Sequence, residues 1–148
     1  GAETNHYLTQ YTYDEQDREI QQLSYLNDEV LGVHTNYKYD NSGNLLLVHN
    51  VDKDGQLKMK YEATYNGAGK IEESTVTSYL GLEMTTTWKY SYDSKGYLIL
   101  EEEYQDGKLA HVLKDHKYDE AGNLLSCNSY GVDGVVCTEY HYTYQRID

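Results

Sequence analysis

Proline and phenylalanine are both missing from this 148-residue chain. Ordinary usage would supply about seven prolines in that length. Their absence suits a chain spent on paired strands, where each N–H is wanted for a ladder bond. Phenylalanine's place is taken by 18 tyrosines, whose rings pack while their hydroxyls still reach water, as a half-buried pleated surface requires. Basic residues are scarce: 12 Lys and Arg against 25 Asp and Glu leave a formal net charge of −13. That balance excludes nucleic acid, whose phosphates would repel the chain, and a polybasic membrane patch. No apolar run approaches the roughly 18 residues of a membrane-spanning helix. Methionine does not open the chain, so Gly1 reads as a scar left by trimming behind a signal peptide. Residues 1–4 are therefore expected to be a scar and flexible N-terminus, and 5–148 one β-repeat domain. A secreted, periplasmic or outer-membrane-associated location follows from the same reading.

One short phrase organises the rest. It is clearest at Tyr37-Lys38-Tyr39-Asp40-Asn41-Ser42-Gly43-Asn44-Leu45-Leu46 and returns at 90–99 and 116–125. Its anchoring tyrosines are Tyr13, Tyr39, Tyr65, Tyr92, Tyr118 and Tyr144, spaced by 26, 26, 27, 26 and 26 residues. Between them side chains alternate with period two, the signature of strands. Turns such as Asn41-Ser42-Gly43, Gln105-Asp106-Gly107 and Val132-Asp133-Gly134 end in glycine, which predicts three-residue hairpin loops closed by a left-handed residue. In the first turn Asp17 takes the glycine's place, and aspartate tolerates the left-handed region better than most residues. The expected fold is all-β: a single-domain antiparallel meander of about eleven strands, built from five 26-residue hairpin repeats.

Turn geometry sets register, and register sets faces. Pairing Tyr39 with Leu45 and Tyr37 with Leu47 gathers tyrosines and leucines on one face, with Leu100, Val112, Trp88 and Tyr90 among them. The opposite face then carries Lys38, Glu101 and Glu103. An apolar face of that size cannot stay wet. A sheet on the order of 50 Å wide also twists and curls, so a strongly curled trough or partial barrel is expected. The single 27-residue spacing predicts a β-bulge between Ser78 and Thr87.

The phrase Tyr-x-Tyr-Asp-x-x-Gly-Asn-Leu-Leu at 37–46, returning every 26 residues, resembles the YD repeats of Rhs-type and teneurin-type proteins. The resemblance covers nearly the whole chain. Departures are Asp17 for Gly, Asn66 and Gln145 for Asp, and Ala63 and His116 for the leading Tyr. The chain also looks like small secreted YD-like domains of unknown function from gut anaerobic Gram-negative bacteria. The resemblance implies a cell-envelope setting and brings no catalytic residues with it.

Candidate chemistry is sparse. Each Tyr-Asp pair reads as a turn device, with Asp bonding local N–H groups. Glu101-Glu102-Glu103 offers paired carboxylates for glycoside hydrolysis, set against a solvated polar face. His111 and His141 fall on one face with Cys127 and Cys137, which keeps a metal site in view, yet no ligand spacing appears and no metal or cofactor is called for. Cys127 and Cys137 lie on the last hairpin. A loop at 132–134 sets Cys127 opposite Glu139, whereas a loop at 131–133 would allow a Cys127–Cys137 disulfide. If a groove stays open, Trp88, Tyr90 and Tyr142 are its ligand-binding candidates, since sugars stack on aromatic rings. No catalytic residue is assigned. The expected function is a non-catalytic secreted or cell-envelope β-repeat module binding a protein or glycan partner. The alternatives are a polysaccharide-acting enzyme and a purely structural envelope component. A homodimer through the trough or an edge strand is a further expectation.

Overall fold

A computed structural model describes residues 5–27 and 29–145. The expectation for residues 1–4 falls outside them. Eleven strands follow one another, beginning with β1 (Tyr7–Tyr13), β2 (Glu19–Leu26), β3 (Glu29–Tyr39), β4 (Leu45–Val51) and β5 (Leu57–Tyr65). They continue through β6 (Ile71–Ser78), β7 (Met84–Tyr92), β8 (Leu98–Gln105), β9 (Lys108–Tyr118), β10 (Leu124–Tyr130) and β11 (Val136–His141). All join one antiparallel sheet in sequence order.

The sheet is open and one layer thick. Among the described residues, each strand touches only the strands before and after it, and β1 and β11 are its two edges. The strongly curled trough is thus not formed. A trough would bring strands several places apart into contact, and none are. Among the described side chains few are removed from water: Ala63 and Cys127 are the buried apolar ones, beside Ser74, Thr77 and Ser129.

The turns explain why no single apolar face drives curling. At 40–44, Asp40 N–H donates to the Asn44 carbonyl and Gly43 N–H donates to the Asp40 carbonyl. This is the expected three-residue loop, repeated at 14–18, 52–56, 66–70, 93–97, 119–123 and 131–135. Asp17 is left-handed at φ 58°. Immediately after each of these turns, however, the register slips by one. Tyr39 faces Leu45, but Lys38 faces Leu47 and Tyr37 faces Val48. The same slip follows Tyr65, Tyr92 and Tyr118. Each slip is a β-bulge that turns the following residues to the other side. Leu47 therefore shares a face with Lys38, and Leu100 with Ser91. Glu101 and Glu103 are carried across to Tyr90 and Trp88. Apolar and polar residues are divided between both faces, which corrects the single tyrosine–leucine face.

Two turns differ from expectation. The predicted bulge between Ser78 and Thr87 is absent: pairing runs unbroken from Ser78↔Met84 to Glu73↔Lys89. The extra residue of that repeat lengthens the ladder instead: β6 has eight residues where β4 has seven, and 79–83 is no longer than the segment 52–56. The loop at Gln105 is also tighter than read, with Gln105 paired to Lys108. Only Asp106 and Gly107 form it, at φ 48° and 76°, as a two-residue hairpin turn requires.

What joins one hairpin to the next is the anchoring tyrosine. Tyr39, Tyr65, Tyr92, Tyr118 and Tyr144 donate their hydroxyls to the carbonyls of Glu19, Leu45, Ile71, Leu98 and Leu124, at 2.8–2.9 Å. Each acceptor opens an even-numbered strand. Backbone pairing between β4 and β5 stops at Leu47↔Glu62, so no strand N–H lies opposite the Leu45 carbonyl. The Tyr65 hydroxyl supplies the donor that the ladder lacks, as an inward-facing carbonyl demands. The rings are covered in turn by the residue after the preceding turn. Arg18 lies 4.9 Å over Tyr39, Lys70 lies 5.2 Å over Tyr92, and Tyr97 stacks on Tyr118 at 4.7 Å. Tyr13, in β1, makes no such bond among the described residues and is 54% exposed.

A Tyr65→Phe substitution isolates this bond. It is expected to lower stability by about 1 kcal/mol, the net worth of one such hydrogen bond, in urea unfolding. Tyr13→Phe should change it by less than about 0.3 kcal/mol. Equal losses at both positions would show that the hydroxyl bond does not join the hairpins.

Candidate functional site

The aspartates of the repeated phrase are spent on their turns. Asp40 Oδ1 accepts from the N–H groups of Ser42 and Asn44, and its Oδ2 accepts from the Asn44 side-chain amide. Asp119 repeats this with Ala121 and Asn123. Asp14 bonds Gln16 and Arg18 N–H and the Arg18 guanidinium at 2.7 Å. Asn66 does the same work uncharged, accepting from Ala68 and Lys70 N–H. The side-chain amides of Asn44 and Asn123 chiefly hold the Asp40 and Asp119 carboxyls below the usual range, aided by backbone N–H groups. Asp14 is held down first by the Arg18 N–H, and Asp52 first by Lys58. No carboxylate so engaged is free for acid–base work.

The face that carries Trp88 and Tyr90 is different. Cross-strand partners share a face, so Ser74, Trp88, Glu103 and His111 form one row. Tyr90, Glu101 and Leu113 form the next. Glu101 and Glu103 are two residues apart on β8, which sets their backbones about 6.6 Å apart. Burial among these side chains pushes the Glu101 carboxyl up, and the neighbouring Glu103 charge adds to it. His111 Nδ1 stands 3.8 Å from Glu103 Oε2.

Beside Tyr90, an open cavity of about 530 Å³ lies between the turns at 66–70 and 93–97. Tyr90, Tyr92, Lys70, Lys95 and Glu72 line it. Gly96 closes the second of these turns, its N–H donating to the Asp93 carbonyl. A Cβ at this position, where φ is +84°, would sit 2.9 Å from Lys70 Cε and displace the lysine lying over Tyr92. Trp88 does not reach this cavity. Tyr142 is farther still, beyond the end of β11 and four strands, or roughly 19 Å, from β7. The three aromatic candidates are thus not one cluster. The cavity lysines went unnoticed in the sequence, because only the side-by-side packing of two turns brings them together.

The last hairpin places its cysteines apart. The bulge after the 131–135 turn pairs Ser129 with Thr138 and Cys127 with Tyr140. Both thiols are free, Cys127 buried and Cys137 exposed. Burial pushes the Cys127 thiol up. His141 pairs with Ser126, on the face opposite Cys127, which separates the proposed ligand group. Among the described residues no three His, Cys, Asp or Glu side chains cluster as a metal site. No helix among them is long and apolar enough to cross a membrane.

The fold and its site define an open, single-layer β-meander with a mixed acidic–aromatic face. No family model matches the chain, and no curated protein matches it. Solved structures do. The Tc holotoxin pore of Photorhabdus luminescens aligns over 93% of this chain at 14% identity, with a TM-score of 0.61. The crystal structures of TcdB2-TccC3-Cdc42 and TcdB2-TccC3-TEV each align over 92% at 19% identity, with TM-scores of 0.42 and 0.40. The chain spans 8–10% of the length of these solved chains. At such identity the likeness is one of fold alone. The likeness to domains of gut anaerobes gains no support from these neighbours.

Two pH experiments follow. The carboxyls of Asp14, Asp40, Asp52 and Asp119 are lowered in the folded state, so their contribution is present above about pH 4 and lost as pH falls below it. Replacing all four with Asn should flatten the loss of thermal stability between about pH 4 and 2, because Asn66 already shows that the amide closes the turn. An unchanged acid limb would refute the assignment. Glu101 has the opposite sign. Its raised carboxyl disfavours the folded state once ionised, so Glu101→Gln should raise the melting temperature at pH 7 and leave it unchanged at pH 3.

Proposed function

We propose that the chain is a non-catalytic β-repeat module of five hairpin repeats, secreted or held in the cell envelope, whose sheet binds a protein partner. The observation that supports this most is the uncovered single layer. Tyr140, Tyr142, Leu125 and Ile99 stand at least 40% exposed, and nothing among the described residues lies across either face. Exposed aromatic and aliphatic surface of this extent marks interaction sites in soluble proteins. Trp88 is the natural anchor, being the side chain type most often dominant in interfaces. A net charge of −13 selects a neutral or basic partner surface. The neighbour in fold is part of a holotoxin pore, which is consistent with service inside a larger assembly.

A second reading rests on one observation. Glu101 and Glu103, two apart on one strand with one carboxyl raised, put on one face the two carboxylates that glycoside hydrolysis uses. The cavity beside Tyr90 could admit a sugar.

Both readings meet in one experiment. Cross-linking capture from the extracellular fraction of the producing cells is run with wild type and Trp88→Ala, alongside a glycan array and reducing-sugar release from polysaccharides. Saturable binding of one protein, weakened about tenfold by Trp88→Ala with an unchanged circular dichroism spectrum, is expected. Sugar release abolished by Glu101→Gln would overturn the non-catalytic reading in favour of the enzyme.

A further inference from the structure

We infer that the outer edge of β1 is a self-docking surface, on which β1 of a second copy of this chain lies antiparallel about a two-fold axis at Gln10. The inference stands apart from the partner binding above. Every residue of β1 is exposed, with Tyr7 at 72% and Tyr11 at 49%. Its backbone faces are settled by the neighbour. Asn27 N–H donates to the His6 carbonyl, so His6, Leu8, Gln10 and Thr12 direct their polar groups at β2. By alternation, Tyr7, Thr9, Tyr11 and Tyr13 direct theirs outward.

Natural sheets guard such an edge with lysine, proline, inward charge or a bulge. β1 reads Tyr-Leu-Thr-Gln-Tyr-Thr-Tyr, without lysine, proline or charge, and the one slip in its pairing, at Thr12/Tyr13, places the extra residue, Ile20, on β2 rather than on the edge strand. It is free of charge in a chain of net charge −13, and it is rich in residues that favour strands. The other edge differs: β11 carries Glu139, and the extra residue of its slip, Cys137, lies on the edge strand itself. Two copies of so acidic a chain repel over most of their surfaces, and β1 is where that repulsion is absent.

The two-fold at Gln10 also matches side chains. It sets Tyr7 against the second copy's Tyr13 and Thr9 against its Tyr11, aromatic and β-branched pairs of the kind that stabilise ladders. These are the outward-bonding positions, so each pair exchanges backbone hydrogen bonds. At the ends it sets His6 against the second copy's Asp14, which complements rather than repels. Gln10 meets its own symmetry mate in a non-hydrogen-bonded pair, where Cα atoms approach to about 4.5 Å.

The test is a charge exchange at the axis. In light scattering coupled to size exclusion, the wild-type chain of 17.1 kDa is expected to run at about twice that mass. Gln10→Glu and Gln10→Lys each place like charges face to face and should run as monomers. Their equimolar mixture should return to the dimer mass. Thr9→Pro removes an outward N–H without touching the β2 ladder and should also give a monomer with unchanged circular dichroism. Gln10→Cys, in a Cys137→Ser background, should form a disulfide-linked dimer on oxidation, bridged at the substituted position. A monomeric wild type overturns the inference, as does a dimer that survives both single charge variants or a mixture that fails to reassociate.

Discussion

The hydrogen bond from each anchoring tyrosine to the start of an earlier strand is the constraint on which the sheet depends. A three-residue hairpin loop closes with a one-residue bulge, and the ladder to the next strand stops short of the strand's opening carbonyl, as at Leu45. Tyr39, Tyr65, Tyr92, Tyr118 and Tyr144 each fill that gap. Phenylalanine could pack there but could not donate, which accounts for tyrosine at these five positions. The spacing of the repeat follows from the same bond. A tyrosine must stand one hairpin downstream of its acceptor, and the sequence separations of 20 and 21 residues record that length. Where the separation grows to 21, the surplus appears in the ladder, as the eighth residue of β6 in a pairing with β7 that runs without a bulge.

With hairpins joined locally, the sheet needs no second layer to hold its order. Few side chains are fully buried, and stability is spread over ladder bonds, turn carboxylates and cross-strand rows. This is the energetics of a repeat array, where each unit leans on its neighbours. It leaves the molecule with two broad half-wet faces and two edges. Both proposals draw on that surplus of surface, one on a face and one on the β1 edge. The acidity of the chain shapes both, because it confines close approach of like molecules to the uncharged strand.

The strands, their antiparallel order and the turn chemistry were legible in the residues. Glycine closing the turns, Asp opening most of them and period-two alternation pointed the same way as the ladder that formed. Asp17 in the left-handed region was legible too. The side of the sheet on which residues fall after each turn was not. Leu45-Leu46, Leu98-Ile99 and Leu124-Leu125 break alternation with two adjacent apolar residues, and that break is the mark of the bulge. Read as simple alternation, it put Glu101 and Glu103 on the wrong face and gathered the leucines on one side. The cavity flanked by Lys70 and Lys95 had no signal of its own, since its residues belong to different repeats.

Sequence alone determined that this chain is an antiparallel meander, because period, turn residues and repeat length are local properties that each hairpin carries within itself. Only the tertiary structure decided that the sheet stays open, that Glu101 lies beside Tyr90 and that Cys127 faces Tyr140. The reason is that a one-residue bulge reverses every side chain beyond it. Its cost and benefit are settled between neighbouring strands, not within one.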